Sequence, residues 1–326
     1  MSSTPQLEIL DLRHFTASQL RPLLNEESVR WQRRLRWDYT SATTLLLDYL
    51  DGRILPGFVA LYAGRAIGYT FCVFEADKAV VGDVYAFGEG ESLVNPVCET
   101  LLHHLLEMMQ AVPGIDRIES QLLMFPAGAL ASPFHSRGFR SSPRLFMTCD
   151  LPQSPLGGAS SGFQLPAHFI VEPWRPPFYD AAAELIQHAY AGHMDSNIND
   201  QYRTLHGAQR FLHNIIRFPG CGIFDPEDSW VIRDTRNNAL EGIILCSRVR
   251  PDVAHITQLC IRKDLRGLGL GEALLHHCAD RISKRGVKAL SLTVTEANTP
   301  ALQLYERHGF TTLHRFEAMV WDKNGQ

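Results

Sequence analysis

This chain of 326 residues lacks both an excess of positive charge and any long hydrophobic run. Its formal net charge is −4, with 13 Lys or Arg against 17 Asp or Glu in residues 1–155 and 18 against 18 in residues 156–326. Neither part has the positive surplus that a nucleic acid or an anionic membrane requires. A transmembrane helix needs about eighteen consecutive apolar residues, and no apolar run in this sequence is that long. Residues 1–13 lack the basic and apolar pattern of an export signal. We therefore expect a cytoplasmic protein with no nucleic-acid partner and no membrane partner.

Cysteine pairs and histidine pairs at metal-ligand spacing are also missing. The seven cysteines are scattered, odd in number and without a CxxC pair, which indicates reduced packing residues. His276 and His277 are adjacent, whereas two histidine ligands on one helix face are four residues apart. The sequence therefore predicts no metal cofactor.

Glycine is concentrated in one informative place, the segment Arg-Gly-Leu-Gly-Leu-Gly at 266–271. It lies between an apolar run at 255–261 and an amphipathic run at 272–285, which predicts a strand, a loop and a helix. Backbone N–H groups at such a helix start bind phosphate. The spacing does not match the dinucleotide fingerprint, and a Walker loop would need a Lys followed by Ser or Thr. A phosphate or pyrophosphate seat is thus predicted, without nucleotide hydrolysis.

The motifs from 253 to 321 resemble those of the GCN5-related N-acetyltransferases (GNAT). Arg-x-x-Gly-x-Gly at 266–271 is followed by Asn298 and by Tyr305-x-x-x-Gly309-Phe310 in the family's order. The resemblance implies acetyl-CoA as co-substrate and a mixed α/β fold in which the fourth and fifth strands part to admit the pantetheine arm. The coenzyme-binding residues that it implies are Leu259, Cys260, Ile261, Arg266, Gly267, Leu268, Gly269, Leu270, Gly271, Glu272, Asn298 and Tyr305.

Two stretches of the first half resemble stretches of the second. Residues 99–104 match 272–277 at an offset of 173 (272 − 99), and residues 134–139 match 305–310 at an offset of 171 (305 − 134). Two matches in one order indicate a duplicated fold, although chance similarity between short apolar helices is the alternative. We expect two tandem GNAT-like domains of the α/β (α+β) class, each a mixed, mostly antiparallel sheet flanked by helices.

The expected domain limits follow from composition. Residues 152–162 are rich in Pro, Ser and Gly, which predicts a linker between a GNAT-like domain at 1–151 and a catalytic domain at 163–326. The offset of 173 places Pro96 where the second half has Gly269, and Cys98 where it has Gly271. Proline removes a backbone donor, and the cysteine brings a side chain to a close approach. The first domain is therefore predicted to be degenerate and to have lost acetyl-CoA binding.

Three side chains are candidates for proton transfer. By resemblance, Tyr305 protonates the departing thiolate of coenzyme A; its alternative role is an aromatic helix anchor. His255 occupies the position of the catalytic glutamate of the histone-acetyltransferase branch, and a histidine titrates near neutral pH; its alternative is a surface position at a strand end. Glu296 is a second candidate base, and water serves in many members of the family.

Strand alternation places Cys260 on the face opposite His255, so we expect direct attack without an acyl-enzyme.

Two further interpretations concern the helix after residue 298 and the acceptor. Thr299 is predicted to cap that helix, which leaves Asn298 for the coenzyme or for a plain turn. A polar, acidic segment at 193–200 lies where this fold usually meets its acceptor, and its carboxylates suit a cationic amine. The alternative is a solvated loop with helix-capping residues.

The sequence thus predicts an N-acetyltransferase that transfers the acetyl group of acetyl-CoA to a primary amine of a small molecule or a protein. Two alternatives stay open, a non-catalytic acyl-CoA-binding sensor and a transferase of longer acyl groups. The sequence identifies no particular acceptor, and it is compatible with a monomer or a homodimer.

Overall fold

The computed structural model describes residues 6–88, 91–157 and 165–323. The chain divides into two compact units. Unit 1 contains residues 1–35, 39–144 and 315–326, and unit 2 contains residues 36–38 and 145–314. The domain limits drawn from composition stay a prediction, and residues 158–162 of the predicted linker lie outside the described residues.

The first half of the chain alternates strands and helices in the order expected of a mixed α/β domain. Helix α3 carries its apolar residues on a buried face, and α4 is a single short turn. The elements are β1 (Leu7–Asp11), α1 (Ala17–Leu35), α2 (Thr40–Asp51), β2 (Gly57–Tyr62), β3 (Arg65–Glu75), β4 (Lys78–Ala86), α3 (Glu91–Ala111), β5 (Arg117–Gln121), α4 (Ala131–His135) and β6 (Arg140–Asp150).

The second half repeats this order with one additional short strand, β8. Residues 200–202 form a separate 3-10 turn before α6, which begins at Leu205. The elements are β7 (Phe169–Pro173), α5 (Tyr179–Tyr190), α6 (Leu205–Arg217), β8 (Ile223–Phe224), β9 (Trp230–Asp234), β10 (Leu240–Arg250), β11 (Val253–Ile261), α7 (Leu270–Lys284), β12 (Ala289–Thr295), α8 (Thr299–Arg307) and β13 (Thr311–Asp322).

The sheets of the two units have the same topology. In unit 1 the order is β1-β2-β3-β4-β5, followed by residues 315–322 of β13. In unit 2 it is β7-β9-β10-β11-β12, followed by residues 145–150 of β6. The pairs β4–β5 and β11–β12 are parallel, whereas β2–β3, β3–β4, β9–β10 and β10–β11 are antiparallel. The predicted duplication of the fold is confirmed.

The duplication extends to an irregularity in the sheet. Gly82 is an extra residue of β4 opposite the β3 pair Phe71 and Cys72, and Thr257 is an extra residue of β11 opposite Leu245 and Cys246. Such a bulge bends its strand and changes which side chains share a face. Both units therefore bend the central strand at an equivalent place.

Two apolar clusters cover opposite faces of the unit 2 sheet. One contains the buried side chains of α7 together with Ile256 and Ile261. The other contains buried residues of α5 and α6 together with Cys260. Leu156 of the predicted linker is 2% exposed within the first cluster, and Leu151, just before the linker, is 1% exposed there. This part of the predicted linker is therefore packed against the domain. Among the described residues, no helix is both long enough and apolar enough to cross a bilayer.

Unit 1 has a helix where unit 2 has its glycine loop. Residues 93–98 lie inside α3, and Cys98 is fully buried. Most N–H groups within a helix are bonded to carbonyls of the preceding turn, so they do not converge on an anion. The positions that the offset of 173 aligns with 266–271 are therefore helical in unit 1, and the loss of acetyl-CoA binding there stays a prediction.

Candidate active site

The two parallel strands of unit 2 part halfway along their length. Pairing of β11 with β12 runs from Val253 and Ala289 to Ile256 and Leu292. Beyond that point residues 257–261 keep β10 as their neighbour, and the described residues provide no strand partner on the other edge. The bulge at Thr257 lies where the strands part, and its hydroxyl donates to the Leu245 carbonyl at 3.0 Å. Backbone groups of an unpaired strand edge can bind an extended ligand.

The bulge corrects the predicted arrangement of side chains along β11. Leu259 and Ile261 pack into the cluster beneath α7, whereas Cys260 packs under α5 and α6. In register, His255 is opposite Ser247 and Cys260 is opposite Ile243, so an even number of β10 residues separates them. Cys260 therefore shares the face of His255, and the prediction of opposite faces was wrong because the extra residue resets the alternation. Burial raises the pKa of the Cys260 thiol to about 12, which makes it a poor nucleophile.

The glycine loop connects the parted strand to the start of α7. Gly267 and Gly269 have φ values of 81° and 77°, which favour glycine, and Leu268 is half exposed. Gly269 is the N-cap residue of α7, and the N–H of Ala273 donates to its carbonyl at 2.9 Å. The N–H groups before Ala273 therefore have no acceptor in the preceding turn of the helix. They are the donors that the predicted anion seat requires, and the seat itself stays a prediction.

Two charged side chains of the motif have other contacts. The guanidinium of Arg266 donates to the Ala189 carbonyl at 2.6 Å, which attaches the loop to the end of α5. The carboxylate of Glu272 lies 3.3 Å from Nε2 of His308. These side chains position the loop, so the anion seat consists mainly of backbone groups.

Tyr305 lies on α8, is 8% exposed and packs against Phe310. Burial and the negative charge of Asp195 raise the pKa of its phenol, so the hydroxyl is protonated at neutral pH. The Asp195 carboxylate accepts a 2.5 Å hydrogen bond from Thr295, at the end of β12. Tertiary structure thus brings the polar segment, the end of β12 and the tyrosine together.

The start of α8 differs from its predicted form. Asn298 is the N-cap residue, and its side chain accepts from the Ala301 N–H at 3.4 Å, whereas Thr299 is the first helical residue. The predicted cap at Thr299 was therefore wrong, since the preceding asparagine already supplies the acceptor. Glu296 is half buried in the turn between β12 and α8. Asn298 and Glu296 stay predictions as site residues.

His255 is not on the surface. It is 4% exposed, between the rings of Trp37 at 4.9 Å and Phe146 at 5.8 Å, and its Nδ1 is 2.9 Å from the Ser291 hydroxyl. The surface alternative for His255 is therefore wrong. Its role as a base stays a prediction.

A cluster of aromatic and polar groups connects α5 and β11 with the polar segment at 193–200. The Tyr190 hydroxyl donates to the side-chain carbonyl of Gln258 at 3.2 Å, and its ring stacks on Tyr202 at 4.1 Å. Nδ1 of His193 accepts from the Asp195 N–H at 3.2 Å, and burial lowers the pKa of this imidazole. Local patterns gave no signal for Tyr190 and Gln258, which are far apart in the chain. Asp195 was visible only as a member of an acidic segment.

Parted strands, a glycine loop at a helix start and a buried tyrosine together define an acetyltransferase-type fold. Residues 193–310 match the Acetyltransferase (GNAT) family. Over 76 residues the chain is 37% identical to the ribosomal protein bS18-alanine N-acetyltransferase of Escherichia coli (strain K12). The aligned residues are 23% of this chain and 51% of that protein. The chain thus spans about half the length of this curated relative.

Solved structures match over the whole chain. A GCN5-related N-acetyltransferase from Sphaerobacter thermophilus has a TM-score of 0.64 at 17% identity and covers 100% of this chain and 98% of its own. A tandem GNAT protein from the clavulanic acid biosynthesis pathway has a TM-score of 0.60 at 14% identity. The match covers 98% of this chain and 100% of that protein's chain. At these identities the likeness shows the fold alone. Residues 193–310 thus match the GNAT family, whose co-substrate is acetyl-CoA, and the whole chain has the fold of two tandem GNAT-like domains.

Proposed function

We propose that unit 2 transfers the acetyl group of acetyl-CoA to a primary amine by direct attack. The observation that carries the proposal is the parting of β11 from β12 immediately before the loop at 266–271. The unpaired strand edge and the helix start are successive along the chain, as an extended pantetheine arm that leads to a pyrophosphate requires. The homologous bS18-alanine N-acetyltransferase, as its name states, acts on an alanine amine of a protein.

The coenzyme site in this proposal is mainly backbone. Leu259, Cys260 and Ile261 offer main-chain groups to the pantetheine arm, and the N–H groups from Gly267 to Glu272 hold the pyrophosphate. Asn298 lies at the start of α8, where its side chain caps the helix, so its contribution to binding would be through the turn that it shapes. The positive φ of Gly267 and Gly269 allows the backbone to turn towards the anion without side chains in the way.

Tyr305 is the proposed proton donor to the departing thiolate. Its phenol is buried, and the adjacent Asp195 carboxylate opposes its ionisation, so the proton is retained until sulfur develops negative charge. The buried thiol of Cys260 has a raised pKa, which favours direct attack over an acyl-enzyme.

Asp195 is the proposed contact for the acceptor amine. Its side chain is 14% exposed and already bonded to Thr295, so it is held in place without reorganisation. A carboxylate there attracts a cationic amine and receives its proton directly or through water. The geometry favours Asp195 over His255, because His255 is enclosed by Trp37, Phe146 and Ser291.

Calorimetric titration of acetyl-CoA tests the coenzyme site. We expect one site per chain, and its loss in a Gly269→Pro, Gly271→Glu variant. The control is Gly220→Ala, because a Cβ at Gly220 meets no atom within 4 Å and this glycine does not have a positive φ. Two sites would contradict the degenerate first domain, and no binding would overturn the proposal.

Turnover separates the enzyme from the alternatives. Acetyl transfer to a panel of small amines and amino-terminal peptides should release coenzyme A in proportion to acetylated product. Binding without turnover on any acceptor would support a sensor. Faster reaction with longer acyl-CoA substrates would support a transferase of longer chains.

A further inference from the structure

Three potential ligands converge beside the start of α7. Glu272 and His276 are four residues apart on the first two turns of α7, and His308 follows the end of α8. One ligand atom from each side chain lies within 4.8 Å of the other two. The carboxylate of Glu272 is 3.3 Å from Nε2 of His308, and the rings of His276 and His308 meet edge to face at 4.7 Å.

The histidines of this cluster have unsatisfied polar atoms. His308 is 6% exposed, and neither of its ring nitrogens has a hydrogen bond of good geometry in the described part of the chain. Nε2 of His276 is also buried without a partner. A buried polar atom without a partner costs about 1–3 kcal/mol. A Glu272–His308 ion pair alone explains one contact and leaves His276 and the other nitrogen of His308 unexplained.

We propose that Glu272, His276 and His308 bind a divalent transition-metal ion of the zinc type. Two imidazoles and one carboxylate form a donor set that suits zinc, with a fourth position open to water. Bonds of about 2.0–2.1 Å in a tetrahedron place ligand atoms about 3.4 Å apart. The Glu272–His308 separation of 3.3 Å is close to this length, and side-chain rotation at His276 would have to close the wider separations.

The site would connect the coenzyme loop to α8. Glu272 directly follows Gly271, the last residue of the loop, and His308 lies three residues after Tyr305. A bound ion would therefore fasten the start of α7 to the helix that carries Tyr305. This role is structural and does not depend on the proposed acetyl transfer.

Titration of untagged, metal-free protein with Co²⁺ tests the site, because tetrahedral Co²⁺ with histidine ligands absorbs visible light strongly. We expect one equivalent of Co²⁺ per chain to develop this absorption, and Zn²⁺ to displace it. His276→Gln and His308→Gln should each weaken Co²⁺ binding at least about tenfold. Circular dichroism of each metal-free variant checks that the fold is intact.

His277→Gln is the matched control. His277 is adjacent to His276 on the same helix, but its ring packs on Trp230 at 4.3 Å, away from the cluster. This variant should bind Co²⁺ as the parent protein does. Failure of the folded parent protein to bind Co²⁺ would overturn the proposal, and so would tight binding that survives in folded His276→Gln and His308→Gln.

Discussion

At the scale of single residues, the environment of Tyr305 determines what its hydroxyl can do. Burial and the Asp195 carboxylate both raise the pKa of the phenol, so the hydroxyl keeps its proton at neutral pH. Asp195 is bonded to Thr295 at the end of β12, so the negative charge that acts on the phenol is held in place.

Tyr305→Phe should lower kcat by about 10²–10⁴-fold, because a proton donor of this kind contributes that much to a transition state. Acetyl-CoA affinity should be nearly unchanged, since the coenzyme site is mainly backbone. Steady-state kinetics and calorimetry measure the two quantities. Tyr179→Phe is the control, because that hydroxyl bonds to the Gln209 carbonyl away from the parted strands. Equal kcat in parent and Tyr305→Phe would exclude the proposed role.

At the scale of elements, the polar segment 193–200 leads into a close approach between Gln201 and α6. Gly207 lies in the first turn of α6, and a Cβ there would be 2.6 Å from the Gln201 carbonyl oxygen and 2.9 Å from its Cα. The Ser196 hydroxyl donates to the Tyr190 carbonyl at 2.6 Å. The Arg203 guanidinium donates to the Ser196 carbonyl at 2.7 Å. The position of Asp195 therefore depends on close backbone packing.

Gly207→Ala should destabilise the protein by about 1–3 kcal/mol, because the added methyl group meets backbone that cannot move aside alone. Alanine favours a helix by about 1 kcal/mol relative to glycine, so a net loss of stability must come from the steric clash. We also expect a higher KM for the acceptor and unchanged acetyl-CoA affinity. Urea unfolding and kinetics measure these effects.

Gly220→Ala is the matched control for this substitution, because a Cβ at Gly220 meets no atom within 4 Å. It should leave both stability and KM near the parent values. A stabilised Gly207→Ala variant would show that the close approach does not hold the polar segment at 193–200.

At the scale of the whole molecule, unit 1 contains a pair of buried carboxyl groups that should affect stability against pH. Glu27 and Asp83 are 1% and 6% exposed, and Tyr69 donates to Glu27 at 2.5 Å. Burial raises the pKa of both groups, and the neighbouring Glu27 raises the pKa of Asp83 further. The folded chain therefore keeps protons that the unfolded chain releases above its ordinary carboxyl pKa of about 4.

Because the folded state binds more protons, the free energy of unfolding attributable to this pair falls as the pH rises through the raised pKa values. Asp83→Asn removes one titrating group at nearly equal size, so its decline between about pH 5 and about pH 9 should be shallower than that of the parent. Urea unfolding across this range measures the slope. Asp48→Asn, at an exposed position of α2, should keep the parent slope. Equal slopes for the parent and Asp83→Asn would contradict the raised pKa values.

Much of the fold was accessible from the sequence. Hydrophobic periodicity indicated β11 and α7 within a few residues, and two short similarities indicated the duplication. These are local signals, since alternation and helical spacing report which face of one element is buried. The glycine loop is equally local, because its backbone angles depend on glycine.

The sequence by itself determined the family motifs, the loop at 266–271 and the tyrosine at 305. Only the tertiary structure decided that Thr257 is an extra residue of β11, that residues 93–98 form a helix, and that Asp195 bonds to Thr295. A bulge depends on the partner strand, and the replacement of a loop by a helix depends on the surrounding core. Contacts between residues a hundred positions apart leave no periodic trace in one chain, so folding alone brings them together.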